Sequence, residues 1–239
     1  NLEDTEIVDT DDLNRLLPAI DPADVDALLN AMADQGTLVE LYAAYEPSVK
    51  VALARLGGYS VGLVAANGKL TAGALQKAAR FVRFMDCYGI PVVSLLNTSG
   101  VEVNGVKEQS WLFKAQSQLL YAYAEATVPK VAVVTGDAIG QAYVAMGGKS
   151  NADVTYAWPG AVISALTPEA AVQVLYTDDL KADKKPALQS RADLEAKFAA
   201  DVADGVAAAA AGMVDDVIDP AETRKYVIAA LEMLSSKRE

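Results

Sequence analysis

The sequence predicts a mixed α/β fold in which helices cover a sheet. Two observations carry this. Strand-like and helix-like stretches alternate along the chain. The strand-like runs are almost uniformly apolar, above all Ile90–Leu96 (IPVVSLL) and Val131–Thr135 (VAVVT), as strands buried on both faces are. The ββα rhythm also suits a spiral of repeated units, although no internal sequence repeat is evident.

Residues 1–20 are acidic and turn-like and read as a linker or extended arm. Asp21-Pro22-Ala23-Asp24 opens a helix that ends near Gly36. Asp21 is placed to cap, Pro22 suits the first helical position, and Asp24 adds first-turn negative charge. Val49–Leu56 and Tyr59–Ala65 form a hairpin across Gly57-Gly58. Gly57, Gly58 and Gly62 do not fit a dinucleotide-binding GxGxxG. From Thr71 to Tyr88 a helix carries Leu75, Ala78, Ala79, Val82 and Met85 on one stripe, with Cys87 expected as a small core residue.

After the strand at Ile90–Leu96, Leu112–Ala126 reads as a helix and Val131–Thr135 as a strand. A loop over Gly136–Gly140 then enters a short helix. Val154–Trp158 and Ala161–Leu166 read as strands around Pro159-Gly160. Thr167 caps a helix opened by Pro168-Glu169. Residues 178–190 read as an exposed Lys-rich loop, and Arg191–Ala211 as one helix. The last helix starts at Asp219-Pro220-Ala221-Glu222, a cap, a first-turn proline and capping-box spacing, and runs to Ser236.

Composition narrows the chemistry. The chain has 239 residues, 52% of them hydrophobic, enough for one large core or two small ones. No apolar run approaches the roughly 18 residues needed to span a bilayer. No secretory signal is visible, which implies a cytoplasmic protein. Asn1 in place of an initiator Met reads as a fragment or a trimmed start. The formal charge is −12, and the first fifty residues hold twelve acids against Arg15 and Lys50. Without a basic stripe, the chain is a poor partner for nucleic acid. The acidic excess reads as a solvated surface or as a docking surface for a basic partner. One cysteine excludes an intrachain disulfide. The absence of histidine excludes Ser–His–Asp and Cys–His machinery and histidine-based metal sites.

The strongest site candidate is Val131–Met146, VAVVTGDAIGQAYVAM, where a buried strand leads into a helix N-terminus. The first N–H groups of a helix lack intrahelical acceptors and carry about half a positive charge. They form a site for negative charge that needs no imidazole. The alternative is that Gly140 merely permits a turn. Gly148-Lys149-Ser150 ends like a phosphate loop, but Tyr143 stands where its first glycine belongs. Asp215, Asp216 and Asp219 resemble a carboxylate cluster, with Asp219 explained as a cap and the others as solvent-facing. Tyr121 and Tyr123 suit a packing or subunit surface, and Trp158 a structural turn.

At four places the sequence resembles one family, in one order. Ala78–Phe84 (AARFVRF), Leu119–Lys130 (LLYAYAEATVPK), Tyr156–Pro159 (YAWP) and Val214–Arg224 (VDDVIDPAETR) are similar to the C-terminal half of biotin-dependent acyl-CoA carboxyltransferases of the propionyl-CoA and methylmalonyl-CoA type. The resemblance covers roughly residues 37–236. It divides the chain into an acidic linker and helix over 1–36 and a carboxyltransferase domain over 37–239.

The resemblance implies a crotonase-like ββα spiral. It implies carboxyl transfer between biotin on a separate carrier and an acyl-CoA, with no metal. It also implies an N-terminal carboxyltransferase half as partner and a homo- or hetero-oligomer, typically a hexamer of subunits. By position it assigns Gln141 and Ala142 as catalytic through their backbone N–H groups, acting on the biotin ureido oxygen. It assigns Gly140, Tyr143 and Val144 to biotin binding. Gln141 stands in place of a glycine and Val144 where propionyl-type members often have Asp. Asn97-Thr98-Ser99-Gly100 replaces an Asp-x-Pro-Gly turn, and Gln116-Ser117 a Gly-Ala pair. Two other readings stand beside this one. The chain could be an inactive assembly or carrier-docking module, or a biotin-independent crotonase-type hydratase or hydrolase.

Overall fold

The structure, a computed structural model, describes residues 11–103, 106–177, 191–201 and 203–237. The Lys-rich loop expected over 178–190 lies outside the described residues, as does the first half of the acidic arm. The described elements form an eight-stranded sheet with helices on both faces. In chain order they are α1 (Val25–Met32), β1 (Val39–Leu41), β2 (Val49–Leu56), β3 (Tyr59–Leu70), α2 (Ala72–Cys87) and β4 (Val92–Val101). Then come α3 (Val106–Glu125), β5 (Lys130–Ile139), α4 (Gly140–Met146), β6 (Val154–Ala157), β7 (Val162–Ser164) and α5 (Pro168–Leu175). Helices at Arg191–Asp201, Gly205–Ala210 and Thr223–Met233 and the two-residue β8 (Asp216–Val217) complete them.

The sheet order is β1-β2-β3-β4-β5-β6-β8, with β7 on the far end of β5. The hairpin is where the two glycines place it. Gly57 and Gly58 have φ of 58° and 83°, a conformation that favours glycine and matches the strand twist. From β3 onward the neighbouring pairs β3–β4, β4–β5 and β5–β6 are parallel.

Both faces of the sheet are apolar, which is why the strands read as continuous hydrophobic runs. On one face Val51, Val64, Leu96 and Val134 pack with Leu75, Ala78 and Val82 of α2 and Leu119 of α3. On the other, Leu63, Leu95 and Val133 pack with Leu28, Leu29 and Met32 of α1 and with Val227 and Leu231. Each such Val or Leu contributes roughly 1.5–3 kcal/mol when fully buried. All five residues of the expected α2 stripe are buried, and Thr71 caps the helix by accepting from the Ala74 N–H at 3.0 Å.

Five local expectations are corrected. Asp24, not Asp21, caps α1, accepting from the Ala27 N–H at 3.0 Å, while Asp21 closes a preceding turn through the Ala23 N–H. Cys87 is exposed rather than in the core, because it lies two residues, about 200°, beyond Met85 and so off the buried stripe. Tyr123 is buried and bonded to Ser94 Oγ at 2.8 Å, while Tyr121 is exposed. No loop spans 136–140, because β5 continues to Ile139 by exchanging β6 for β7 as its neighbour. The expected Arg191–Ala211 helix is broken. The Ile163 N–H donates to the Ala203 carbonyl at 2.7 Å, and Asp204 caps a new helix at the Val206 N–H. The alanine run itself stays helical beyond the break, in Gly205–Ala210.

The arm over 11–20 is docked. Arg15 donates to the Ala31 and Ala33 carbonyls at the end of α1, both at 2.9 Å, and the Leu17 N–H donates to Ala221 O at 2.8 Å. Next to it Arg224 and Asp34, both fully buried, form an ion pair. Asp34 also accepts the Gly57 and Gly58 N–H groups at 3.0 and 2.8 Å. Arg224 donates to Met32 O at 3.2 Å and Asp12 O at 2.7 Å.

Candidate functional site

The four sequence motifs prove to be chiefly scaffold. In Leu119–Lys130, Leu119, Ala122, Tyr123, Ala126 and Val128 are buried. Lys130 Nζ donates to the Tyr123 and Ala126 carbonyls, both at 2.7 Å, and so closes the end of α3. Burial lowers the pKa of this lysine, and the two carbonyls hold its ammonium. In Tyr156–Pro159, buried Trp158 donates from Nε1 to Thr223 Oγ1 at 2.8 Å, tying this motif to Val214–Arg224. Trp158 is therefore the structural turn expected. Ala78–Phe84 contributes Ala78, Ala79, Phe81 and Val82 to the core.

The other feature is the β5–α4 junction. Gly140 turns the strand into the helix with φ of 67°. Ile139 occupies the cap position with an apolar side chain, and no side chain caps α4. Gln141 and Ala142 are thus the second and third residues of a helix whose first-turn donors no side chain takes. Both line a cleft of about 270 Å³. Its walls are Leu75, Phe113, Leu119, Leu120 and Ala145, and its polar groups are Gln116, Ser117 and the Gln141 side chain. Three residues noted as departures from the family pattern, distant in sequence, therefore meet in one place.

Of the five site residues expected from sequence, Gln141 and Ala142 come together on this cleft. Gly140, Tyr143 and Val144 are not among its lining residues. Tyr143 is buried, its ring in the core, and its hydroxyl donates to Met213 O at 3.0 Å. Burial raises its pKa. Val144 is 41% exposed and faces outward beside the junction.

Further contacts hold the other end of α4. Asn151 Nδ2 donates to the Val144 and Ala145 carbonyls at 3.0 and 3.2 Å. Lys149 pairs with Asp215, which also accepts the Thr155 N–H at 2.8 Å. Asp216 is exposed, and Asp219 caps through the Ala221 N–H at 2.9 Å, so these acids form no shared site. Asp137 is half-buried, and burial raises its pKa. Among the described residues no group of three or more His, Cys, Asp or Glu side chains is placed to hold a metal ion.

Uncapped backbone donors beside an apolar cleft can hold developing negative charge on an otherwise neutral ring system. Sequence reasoning found the strand-to-helix junction from its pattern, and the family resemblance singled out Gln141 and Ala142 within it. It missed the cleft itself, because α3 supplies much of the wall.

Comparison with known proteins places the chain in a family. The carboxyl transferase domain family matches residues 1–239. The chain is 39% identical over 236 residues to the propionyl-CoA carboxylase carboxyltransferase subunit of Haloferax mediterranei, covering 95% of this chain and 46% of that one. It is 36% identical over 255 residues to the methylmalonyl-CoA decarboxylase subunit alpha of Veillonella parvula, covering 100% and 48%. A transcarboxylase 12S crystal structure, a hexamer with methylmalonyl-coenzyme A and methylmalonic acid bound, superposes with a TM-score of 0.86 at 35% identity. That match covers 97% of this chain and 47% of the other. The chain spans about half the length of these relatives, and its fold is the crotonase-like α/β fold they share. It belongs to the carboxyl transferase domain family.

Proposed function

We propose that this chain is one half of a carboxyltransferase that moves a carboxyl group between biotin and an acyl-CoA. The single observation that carries the reading is the first turn of α4, which has no side-chain cap and opens on an apolar cleft. Biotin, brought on a separate carrier, supplies the ureido nitrogen to which the carboxyl group is attached. The Gln141 and Ala142 N–H groups hold the negative charge that develops on the ureido oxygen. The buried side chains of Leu75 and Leu119 give the cleft an apolar wall, which strengthens those hydrogen bonds. Gly140 permits the turn that aims the donors, Tyr143 anchors the helix through Met213, and Val144 borders the site. No acid or base side chain is required, in keeping with a chain that has no histidine.

The same reading supplies the partners. An N-terminal carboxyltransferase half holds the acyl-CoA, and the subunits assemble as hexamers, the assembly described for transcarboxylase 12S. Support for two halves comes from coverage of about half of each relative. We place the reaction in the cytoplasm, with coenzyme A thioesters as substrates. Among the described residues no helix is long and apolar enough to cross a membrane.

The test is Ala142→Pro in the protein that carries this chain. Proline in the first turn removes one N–H without breaking an intrahelical bond. Transfer from methylmalonyl-CoA to free biotin is expected to fall by about 10²–10³-fold, with melting unchanged. Full activity would refute the backbone-donor assignment, and turnover insensitive to avidin would refute the role of biotin. Activity of this half alone would refute the two-half arrangement.

A further inference from the structure

The β4–β5 register breaks immediately before the candidate site. Pairing runs regularly from Val92↔Lys130 to Leu96↔Val134, and the next pair is Thr98↔Ala138. Between these pairs β4 has one residue, Asn97, while β5 has Thr135, Gly136 and Asp137. Such a bulge leaves backbone groups without ladder partners and re-aims the chain beyond it. Here side chains replace the ladder. Thr135 Oγ1 donates to Leu96 O at 3.2 Å, and the Asp137 N–H donates to Asn97 Oδ1 at 3.0 Å.

Asn97 is itself held from the other side. Its Nδ2 donates to Asn67 Oδ1 at 2.9 Å, and Asn67 Nδ2 donates to Ala23 O at 3.0 Å. Asn67 and Asn97 are register partners on β3 and β4. The seat requires Gly136, since a Cβ at that position would lie 2.4 Å from Asn97 Oδ1. A chain of amides therefore runs from the segment before α1, across two strands, to the backbone three residues before α4.

We infer that Asn97 is a positioning residue for carboxyl transfer: its side chain fixes the bulged end of β5 and thereby aims the first-turn donors of α4 into the cleft. It is not among the residues lining the cleft, so it acts through the backbone of Asp137. This inference rests on the reading of Gln141 and Ala142 as the donors. Both amide functions of Asn97 are used, so two substitutions separate its roles. Asn97→Ala deletes both. Asn97→Asp keeps the acceptor for the Asp137 N–H at the same side-chain size and gives up the donor.

The experiment assays transfer from methylmalonyl-CoA to free biotin in the protein that carries this chain, with Ala142→Pro alongside. Misaimed donors reduce the rate rather than acyl-CoA binding. Asn97→Ala is therefore expected to lower kcat by about 10²-fold while the KM for methylmalonyl-CoA changes little. Asn97→Asp is expected to recover most of that rate. Hydrogen exchange at the Asp137 amide should rise in Asn97→Ala and return in Asn97→Asp. A fully active Asn97→Ala would overturn the inference, as would a loss that Asn97→Asp does not restore despite folding normally. If Ala142→Pro is inactive while Asn97→Ala is unaffected, the positioning role alone fails. If Ala142→Pro is fully active, the donor reading fails and the positioning role fails with it.

Discussion

Two polar regions of this molecule are built in opposite ways. Around Arg224 and Asp34, charges and donors are matched. The guanidinium meets a carboxylate and two carbonyls, and the carboxylate meets two further N–H groups. At the start of α4 the first-turn donors face a cleft with no side-chain cap. The first region joins the arm, the end of α1, the hairpin and the last helix, residues as far apart as Asp12 and Arg224. The second has no side-chain cap to tie its first turn to another element. That difference is what the proposed role of the second region rests on.

Breaking the matched region gives the largest effect on stability. Asp34→Ala removes the fully buried carboxylate paired with Arg224 and leaves two amides without their acceptor, and is expected to cost about 3–5 kcal/mol in denaturant unfolding. A cost below about 1 kcal/mol would show that the pair is not buried as described. Tyr143→Phe sharpens the contrast at the open region. It removes one hydrogen bond to Met213 O and is expected to cost about 0.5–1.5 kcal/mol, with a larger fractional loss of transfer than of stability. Equal transfer in the variant would show that α4 needs no such anchor.

The smallest effect concerns Asp137. Burial raises its pKa above the ordinary 3.8, so the folded state holds this proton more tightly than the unfolded state. The folded chain therefore gains from this group in acid and loses that gain as pH rises through the raised value. Asp137→Asn removes the loss. The variant is expected to melt slightly higher than the parent at neutral pH, with the difference closing as pH falls toward 3.8 and below. A variant that melts lower at neutral pH would mean the carboxylate has a stabilising partner.

What was legible in the sequence was local. The α2 stripe, the Thr167 cap and the Gly57-Gly58 hairpin depend on residues within a turn or two of each other, so spacing reveals them. The β5–α4 junction was legible for the same reason, as a strand running into a helix start, while the choice of Gln141 and Ala142 within it came from the family resemblance. Asp24 displaced Asp21 as cap because the two acids sit three residues apart and either could serve by spacing alone. The break at Ala203 was hidden because its cause, the Ile163 N–H, lies forty residues away.

The sequence by itself therefore determined the alternation of strands and helices, their apolar faces and the junction where the chemistry is proposed. Only the tertiary structure decided three further things. It paired Arg224 with Asp34, across 190 residues. It gathered Gln116, Ser117 and Gln141 around one cleft. It also set Asn97 into the β5 bulge opposite Gly136. Hydrophobic period is a property of neighbouring residues, whereas a hydrogen bond between distant side chains exists only once the sheet has set their register.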